Sequence, residues 1–435
     1  MPENIKDKQL FTVARVFFLL IVIPFSLMAI LIANGILKLG ITAKERAINV
    51  LDQKSQEEIK IRAINTAEEV ANFLTERKKD LLIATIIPAT ESSYKQFVNE
   101  NKKAIWVKED NKIQQVVAPL YTEMTLIDKN GNELIKIVGG AVAKSALTNV
   151  SKPANTKYKS EDYFIKASKL NKGEAHISHV TGWYVNKFDF DKGKRFQGII
   201  RMATPIFSKE GFSGVISLAL DFQHVAGFTD HIIPTQSGYV FRADAATGNY
   251  AYMVDNRGLV IAHPNDYHIA GLYGDGTPVP PLTDKTVEAM TKKGEEVLNL
   301  NLLGFMDPGL PEVARGAVAG NTGIKVYKFA GQTKLVAYAP IKFYSDDYPK
   351  PGGFGWVGMG VNVEKFNETA MKASQDVEKE VKAWTTTIVL IIIISVILLF
   401  FISALLARGI GRSIEAEVPA DAQEAALDEE DEEDK

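Results

Sequence analysis

Cysteine is absent from all 435 residues, which excludes disulfide frameworks and thiolate metal sites. The local patterns of common catalytic machinery are missing too. There is no GxSxG, no HExxH and no phosphate-binding glycine loop, and no nucleophile, base and orienting group stand together. Basic charge is not in surplus: Lys and Arg number 50 against 53 Asp and Glu, a formal net charge of −3. Bulk attraction to nucleic acid is therefore not implied. These absences lead us to expect no enzyme, no cofactor and no bound metal.

Two runs lack charge altogether. Residues 16–37 read VFFLLIVIPFSLMAILIANGIL and residues 385–407 read TTTIVLIIIISVILLFFISALLA. A spanning helix needs ~20 apolar residues, so both qualify as transmembrane helices. The other reading of the first run is a cleaved signal peptide. Its apolar core exceeds the usual ~7–15 residues and no small-x-small site follows, so an uncleaved anchor is expected. Pro24 is tolerable in such a helix, and Trp384 suits an interfacial anchor. Lys6, Lys8 and Arg15 precede the first run, and Arg408 and Arg412 follow the second. Lys38, Lys44 and Lys382 flank the other side, but long domains translocate regardless of charge. The expectation is a two-pass protein of the inner (cytoplasmic) membrane, with cytoplasmic termini and a large extracytoplasmic domain.

Glycine and proline are missing from about Thr42 to Ile83, a stretch rich in helix formers. Ile61, Ile64, Ala67, Ala71 and Leu74 fall at helical spacing. One long stalk helix is expected, interrupted at Pro88, then a second helix near Ser92–Asn101, the two accounting for residues 38–115. Strands follow. A hairpin forms around the turn at Asp128–Gly131, and a matching one around Asp255–Gly258. Gly214-Val-Ile-Ser-Leu-Ala-Leu-Asp221 aligns with Gly355-Trp-Val-Gly-Met-Gly-Val-Asn362, each preceded by a strand carrying Pro205 or Pro340. The same order occurs twice, so duplication is read rather than a chance run of strand and turn. The first module takes residues 116–222. The second takes 223–363, with an insertion at 266–321 and a helix candidate TDKTVEAMTKKGEEVLNL. A juxtamembrane helix at 364–384 enters the second apolar run with no breaker. Residues 408–435 open on LLARGIGRSI and end in an acidic run expected to be disordered.

Asp128, Asn130 and Glu133 lack calcium-loop spacing and read as a plain turn. Asp189 and Asp191 read as a solvated turn.

The assembled order resembles the double Cache sensor, the extracytoplasmic domain of many bacterial and archaeal chemoreceptors and sensor kinases. The phrases EDYFIKA before GEAHIS, MATPIFSKEGFSGVISLALDF and DNRGLVIAHPN carry the resemblance, and LLARGIGRSI is similar to the opening of a HAMP linker. It implies an α+β fold: two tandem PAS-like (Cache) modules on a long stalk helix, flanked by two transmembrane helices, the first module membrane-distal and the second membrane-proximal. In the amino-acid-binding branch an Arg and a Trp precede a Tyr, and an Asp closes the last strand. Tyr163 and Asp221 match that Tyr and Asp. Ser160-Glu-Asp162 does not supply the Arg and Trp.

Six residues of the first module are the expected ligand contacts: Tyr163, His179, Trp183, Tyr184, Arg201 and Asp221. His176 and His179 stand three apart, on opposite faces of a strand, so they do not share a metal; one of them lines a pocket or neither does. Trp183 and Tyr184 stack on a ligand or simply pack. Asp221 accepts from a ligand ammonium, or caps the helix after Phe222, or does both. Asn362 is expected only to cap.

Two function classes remain open. One is a sensor that binds a small molecule in the distal module and passes the signal across the membrane to a separate output protein. The other is a membrane-anchored interaction protein. A pocket lined by Tyr163, Trp183 and Arg201 favours the first; side chains filling that space favour the second. Expected partners are a small-molecule ligand, the membrane, an output protein and a second copy of the chain, with no nucleic acid.

Overall fold

The computed structural model describes residues 3–109, 112–145, 147–329 and 331–417. The acidic run expected to be disordered lies outside the described residues. The chain divides into two units, residues 53–367 and residues 1–52 with 368–435.

The helix α1 (Glu3–Ala84) is unbroken at Ile61, as expected. Its stripe inside the larger unit is Ala63, Ala67, Val70, Leu74 and Leu81, all buried at the spacing of one helix face. Ile61 is instead 48% exposed. The rest of the expected face holds: Ala67, Ala71 and Leu74 are buried, and Ile64 packs partly buried against the same core. After Pro88 comes α2 (Glu91–Glu100), where Thr90 caps the Ser93 amide at 3.2 Å.

Next is an antiparallel hairpin, β1 (Lys102–Glu109) and β2 (Lys112–Pro119). The sequence reading had no hairpin here. Exposed residues predominate along both strands, so no apolar alternation marks them.

The first module follows: β3 (Tyr121–Asp128), β4 (Glu133–Val138), β5 (Ala141–Val142), α3 (Tyr163–Ala167), β6 (His176–Ile177), β7 (Thr181–Gly182), α4 (Lys187–Asp191), β8 (Gly198–Ser208) and β9 (Gly211–Asp221). Its sheet runs β5-β4-β3-β9-β8-β6, with β7 also on β8. The segment read as a turn at Asp189 and Asp191 is the short helix α4, capped by Asn186 on the Asp189 amide at 2.8 Å. The helix α5 (Gln223–Asp230) leads to the second module: β10 (Tyr250–Asp255), β11 (Val260–Ala262), α6 (Val287–Lys292), α7 (Gly309–Val318), β12 (Gly323–Phe329), β13 (Gln332–Ile341) and β14 (Gly355–Asn362). Its sheet runs β11-β10-β14-β13-β12. The long helix candidate of the insertion shortens to α6 because Gly294, at φ 70°, ends it.

Both sheets place the opening hairpin beside the last strand and that strand beside the one before it. The agreement reaches single atoms. Asp128 Oδ1 accepts the Asn130 and Asn132 amides, both at 2.8 Å. Asp255 Oδ1 accepts the Arg257 and Leu259 amides, both at 3.0 Å. Gly131 and Gly258 hold φ of 88° and 90°. A Cβ on Gly214 would overlap the Ile127 carbonyl, and one on Gly355 the Val254 carbonyl. These are two PAS-like modules in tandem.

The smaller unit is helical, formed by the start of α1 and most of α8 (Val363–Glu417). Phe18–Thr42 and Gln375–Leu406 are long and apolar enough to cross a membrane. Within this unit the rings of Phe18 and Phe400 meet edge-on at 5.5 Å.

Candidate functional site

Side chains alternate along a strand, and this decides which residues of the first module meet α1. Ile200, Met202, Leu218 and Leu220 share one apolar cluster with Val70 and Leu74. Their neighbours Ile199, Arg201, Ala203, Val215, Ser217, Ala219 and Asp221 therefore face away, beneath the segment 150–165. Ala203, Ser217 and Ala219 are small, which leaves width under that segment for larger polar groups.

Three rows cross this outer face. In the first, Asp221 stands opposite Ile199. Asp221 Oδ1 accepts the Gln223 amide at 3.0 Å, so the capping role is real. Its second oxygen accepts no hydrogen bond among the described residues. Burial raises the Asp221 pKa, while that amide, His224 and Lys157 pull it down. The rings of Tyr158 and Trp183 meet at 5.1 Å, and Trp183 stays partly accessible.

In the second row Arg201 stands opposite Ala219, which stands opposite Glu123. Arg201 is 2% exposed. Its Nε donates to Glu161 Oε1 and its Nη1 to Glu123 Oε2, both at 2.9 Å. Its guanidinium also lies 4.8 Å from the Tyr163 ring centre. Burial opposes the charge of Arg201, but the two carboxylates outweigh it and hold its pKa well above the ordinary value. Two of the guanidinium donors are thus taken up by carboxylates.

In the third row His176 pairs with Ala203, Ala203 with Ser217, and Ser217 with Thr125. Both His176 ring nitrogens, Ser217 Oγ and Thr125 Oγ1 are buried without a hydrogen-bond partner among the described residues. Buried polar groups are normally satisfied, so four orphaned atoms along one line are unusual. His176 Nδ1 lies 3.8 Å from Asp347 Oδ2. Burial, with Lys166 beside it, lowers the ring's pKa and favours the neutral form.

The six expected residues thus separate. Asp221 and Trp183 lie at the accessible end, and Arg201 and Tyr163 are sealed behind it. His179 and Tyr184 bond to the second module. His179 lies beyond the end of β6, and its Nε2 meets Asn256 Oδ1 at 3.1 Å. The Tyr184 hydroxyl donates to the Tyr267 carbonyl and accepts the Glu296 amide, both at 2.9 Å. Those two tie the modules together. Glu123, Glu161, Thr125, Ser217 and Tyr158 were not foreseen. Tyr158 and Glu161 stand just ahead of Tyr163, the nearest thing to a signal.

A family model described as Cache domain matches residues 43–370. No curated protein matches the chain. Among solved structures, a domain of a sensory box/GGDEF family protein from Vibrio parahaemolyticus is 14% identical with a TM-score of 0.44, covering 74% of this chain and 100% of that one. The ligand-binding domain of a Pseudomonas fluorescens chemoreceptor in complex with L-isoleucine is 13% identical with a TM-score of 0.40, covering 74% and 98%. That of a Pseudomonas aeruginosa amino acid chemoreceptor in complex with L-Arg is 13% identical with a TM-score of 0.36, covering 69% and 92%.

Proposed function

The chain belongs to the Cache domain family, and from that premise we propose that it is a membrane-anchored sensor whose first module binds a small molecule on the outer face of its sheet. The observation that carries this reading is Asp221 at the accessible end of that face, beside the rings of Tyr158 and Trp183, with one oxygen that accepts no hydrogen bond among the described residues. A face built only for packing would carry apolar groups there.

Charge narrows the ligand. Around the first two rows, Lys157 and Arg201 stand against Glu123, Glu161 and Asp221. One carboxylate is in surplus, and Asp221 has an oxygen to offer. The ligand carries an amine or other organic cation, held by Asp221 and by the partly accessible ring of Trp183. With Arg201 occupied, a carboxylate on the ligand adds little. Ligand-linked change then travels along α8, which opens directly after β14, to a separate output protein.

The test is a thermal-shift screen on the full chain in lipid nanodiscs, with matched primary amines and carboxylates. A ligand at a hundred times its dissociation constant adds ~2.7 kcal/mol, an easily seen shift. Amines should shift the protein, and Asp221→Asn and Trp183→Leu should weaken them at least about tenfold. A shift with carboxylates alone would sink the cation reading.

A further inference from the structure

A second recess lies away from those rows. It has a volume of about 840 Å³ and is enclosed by the β1–β2 hairpin, α5, residues 193–196 of the first module and the segments around 240 and 265 of the second. Small-molecule pockets span roughly 300–1,000 Å³, so the space suffices for an organic ligand. Trp106, Phe228, Tyr239 and Phe241 supply aromatic walls. Trp106 is 39% exposed and stands edge-on to His231 at 6.3 Å.

The charged lining is unequal. Lys103, Lys108, Arg195 and Arg242 face Asp230 and Asp266. Asp266 is engaged: one oxygen accepts the Phe196 amide at 2.6 Å and the other lies 3.4 Å from Arg242. Lys103 sits 4.5 Å over the rings of Phe73 and Phe228. Arg195 uses Nη1 on the carbonyls of Phe190 and Lys194, at 3.0 and 2.9 Å. Its Nε and Nη2 meet no acceptor, and neither Arg195 nor Lys108 has an ion pair, among the described residues. Burial pushes Asp230 up to about 7, which leaves the recess more positive still near neutral pH.

We propose that this recess is a second binding site, for a free amphipathic carboxylate with an aromatic or alkyl body. The acid group sits on Arg195, with Lys108 on the hairpin side, and the body lies among Trp106, Phe228 and Phe241. Planar two-point donation makes Arg the better carboxylate partner of the two. Because the hairpin forms one wall, such a ligand bridges the hairpin and both modules. The site differs in charge from the outer face of the first module, where a carboxylate is in surplus.

The probe is 1-naphthaleneacetate, with 1-naphthylmethylamine as its cationic counterpart. Binding is measured by calorimetry on the full chain carrying Asp221→Asn, so that an amine held on the outer face of the first module does not count, in nanodiscs with empty nanodiscs subtracted. The acid should bind and the amine should bind at least about tenfold more weakly. Arg195→Gln and Trp106→Leu should each weaken the acid about tenfold, and Arg195→Lys should restore part of the loss. Both side chains are exposed, and an unchanged melting temperature confirms folding. Should either variant misfold, Lys108→Gln replaces it, with a several-fold loss expected. Equal or tighter binding of the amine overturns the proposal. So does acid binding that ignores these variants, or no acid binding at millimolar concentration.

Discussion

Arg201 in the first module and Lys334 in the second are both buried cations on the strand next to the last, yet their surroundings differ. Arg201 stands between Glu123 and Glu161 at 2.9 Å each. Lys334 is 3% exposed and has no carboxylate within ion-pair distance among the described residues. Its amine donates to the Tyr250 hydroxyl at 3.2 Å and lies 4.8 and 5.1 Å from the ring centres of Tyr250 and Phe329. The turns and the close glycine contacts are copied between the modules, while the buried charges are not. Backbone constraints thus persist where side-chain chemistry has diverged. The charged, partly orphaned face belongs to the first module, and an aromatic interior belongs to the second.

The sharpest way to test that difference is to remove each cation. Arg201→Met strands two buried carboxylates, and breaking a buried pair from one side costs ~3–5 kcal/mol. Lys334→Met removes a charge that lacks a counter-ion and should stabilise the protein at pH 7. Urea unfolding of the full chain in nanodiscs reads both. Losses of similar size would erase the contrast between the modules.

The same lysine makes a pH prediction on the order of 3 kcal/mol. Burial lowers its pKa from 10.5 to about 8. Between those values the unfolded chain binds a proton that the folded chain does not, so stability rises with pH across the window. Below pH 8 both states are protonated and the penalty is present in full. The gain from Lys334→Met should therefore be largest below pH 8 and fade toward pH 10. Tyr252, whose pKa burial raises, does not bond to Lys334 and cancels in the difference. A gain that does not vary with pH would assign it to packing alone.

The copied features call for equal responses. Gly214→Ala and Gly355→Ala each force a Cβ onto a neighbouring carbonyl, at φ of 156° and 150°. Each should cost about 1–2 kcal/mol. A loss in one module only would show that the shared geometry is not shared energetically.

This pattern also explains what could be read in advance. The two turns were legible because their chemistry is local: an Asp accepts amides two and four residues on, and a Gly takes the positive φ. The stalk was legible from its missing breakers, and its buried stripe from helical spacing, Ile61 apart. Strand alternation puts Arg201 and Asp221 on the outer face of one sheet, with Tyr163 against Arg201. The pairing that closes Arg201 was not legible, since Glu161 and Glu123 lie 40 and 78 residues away. The bonds that His179 and Tyr184 make were hidden for a related reason. Their partners, Asn256, Tyr267 and Glu296, belong to the second module, and no spacing within the first reveals them. The hairpin of β1 and β2 escaped because neither face is consistently apolar.

The smallest expected change in stability is at the last residue of the two final strands, where the modules carry Asp221 and Asn362. Each side chain accepts the amide two residues on, at 3.0 Å in both. Asn caps about as well as Asp, so Asp221→Asn keeps that bond. It also removes a carboxylate whose ionised form burial disfavours, since the folded-state pKa of Asp221 is raised. Above its unfolded pKa the parent bears that penalty, so at neutral pH the variant should be slightly more stable. Below the unfolded pKa of ~3.9 the carboxylate is protonated in both states and the difference should vanish. If Asp221 holds a ligand cation, the same variant should bind amines at least about tenfold more weakly while melting no lower. Stability that rises as binding falls is the mark of a residue kept for its ligand. Melting curves at pH 7 and pH 3.5, with amine titration of the same sample, decide it. Unchanged amine binding at unchanged stability would reduce Asp221 to the capping role that Asn362 fills in the second module.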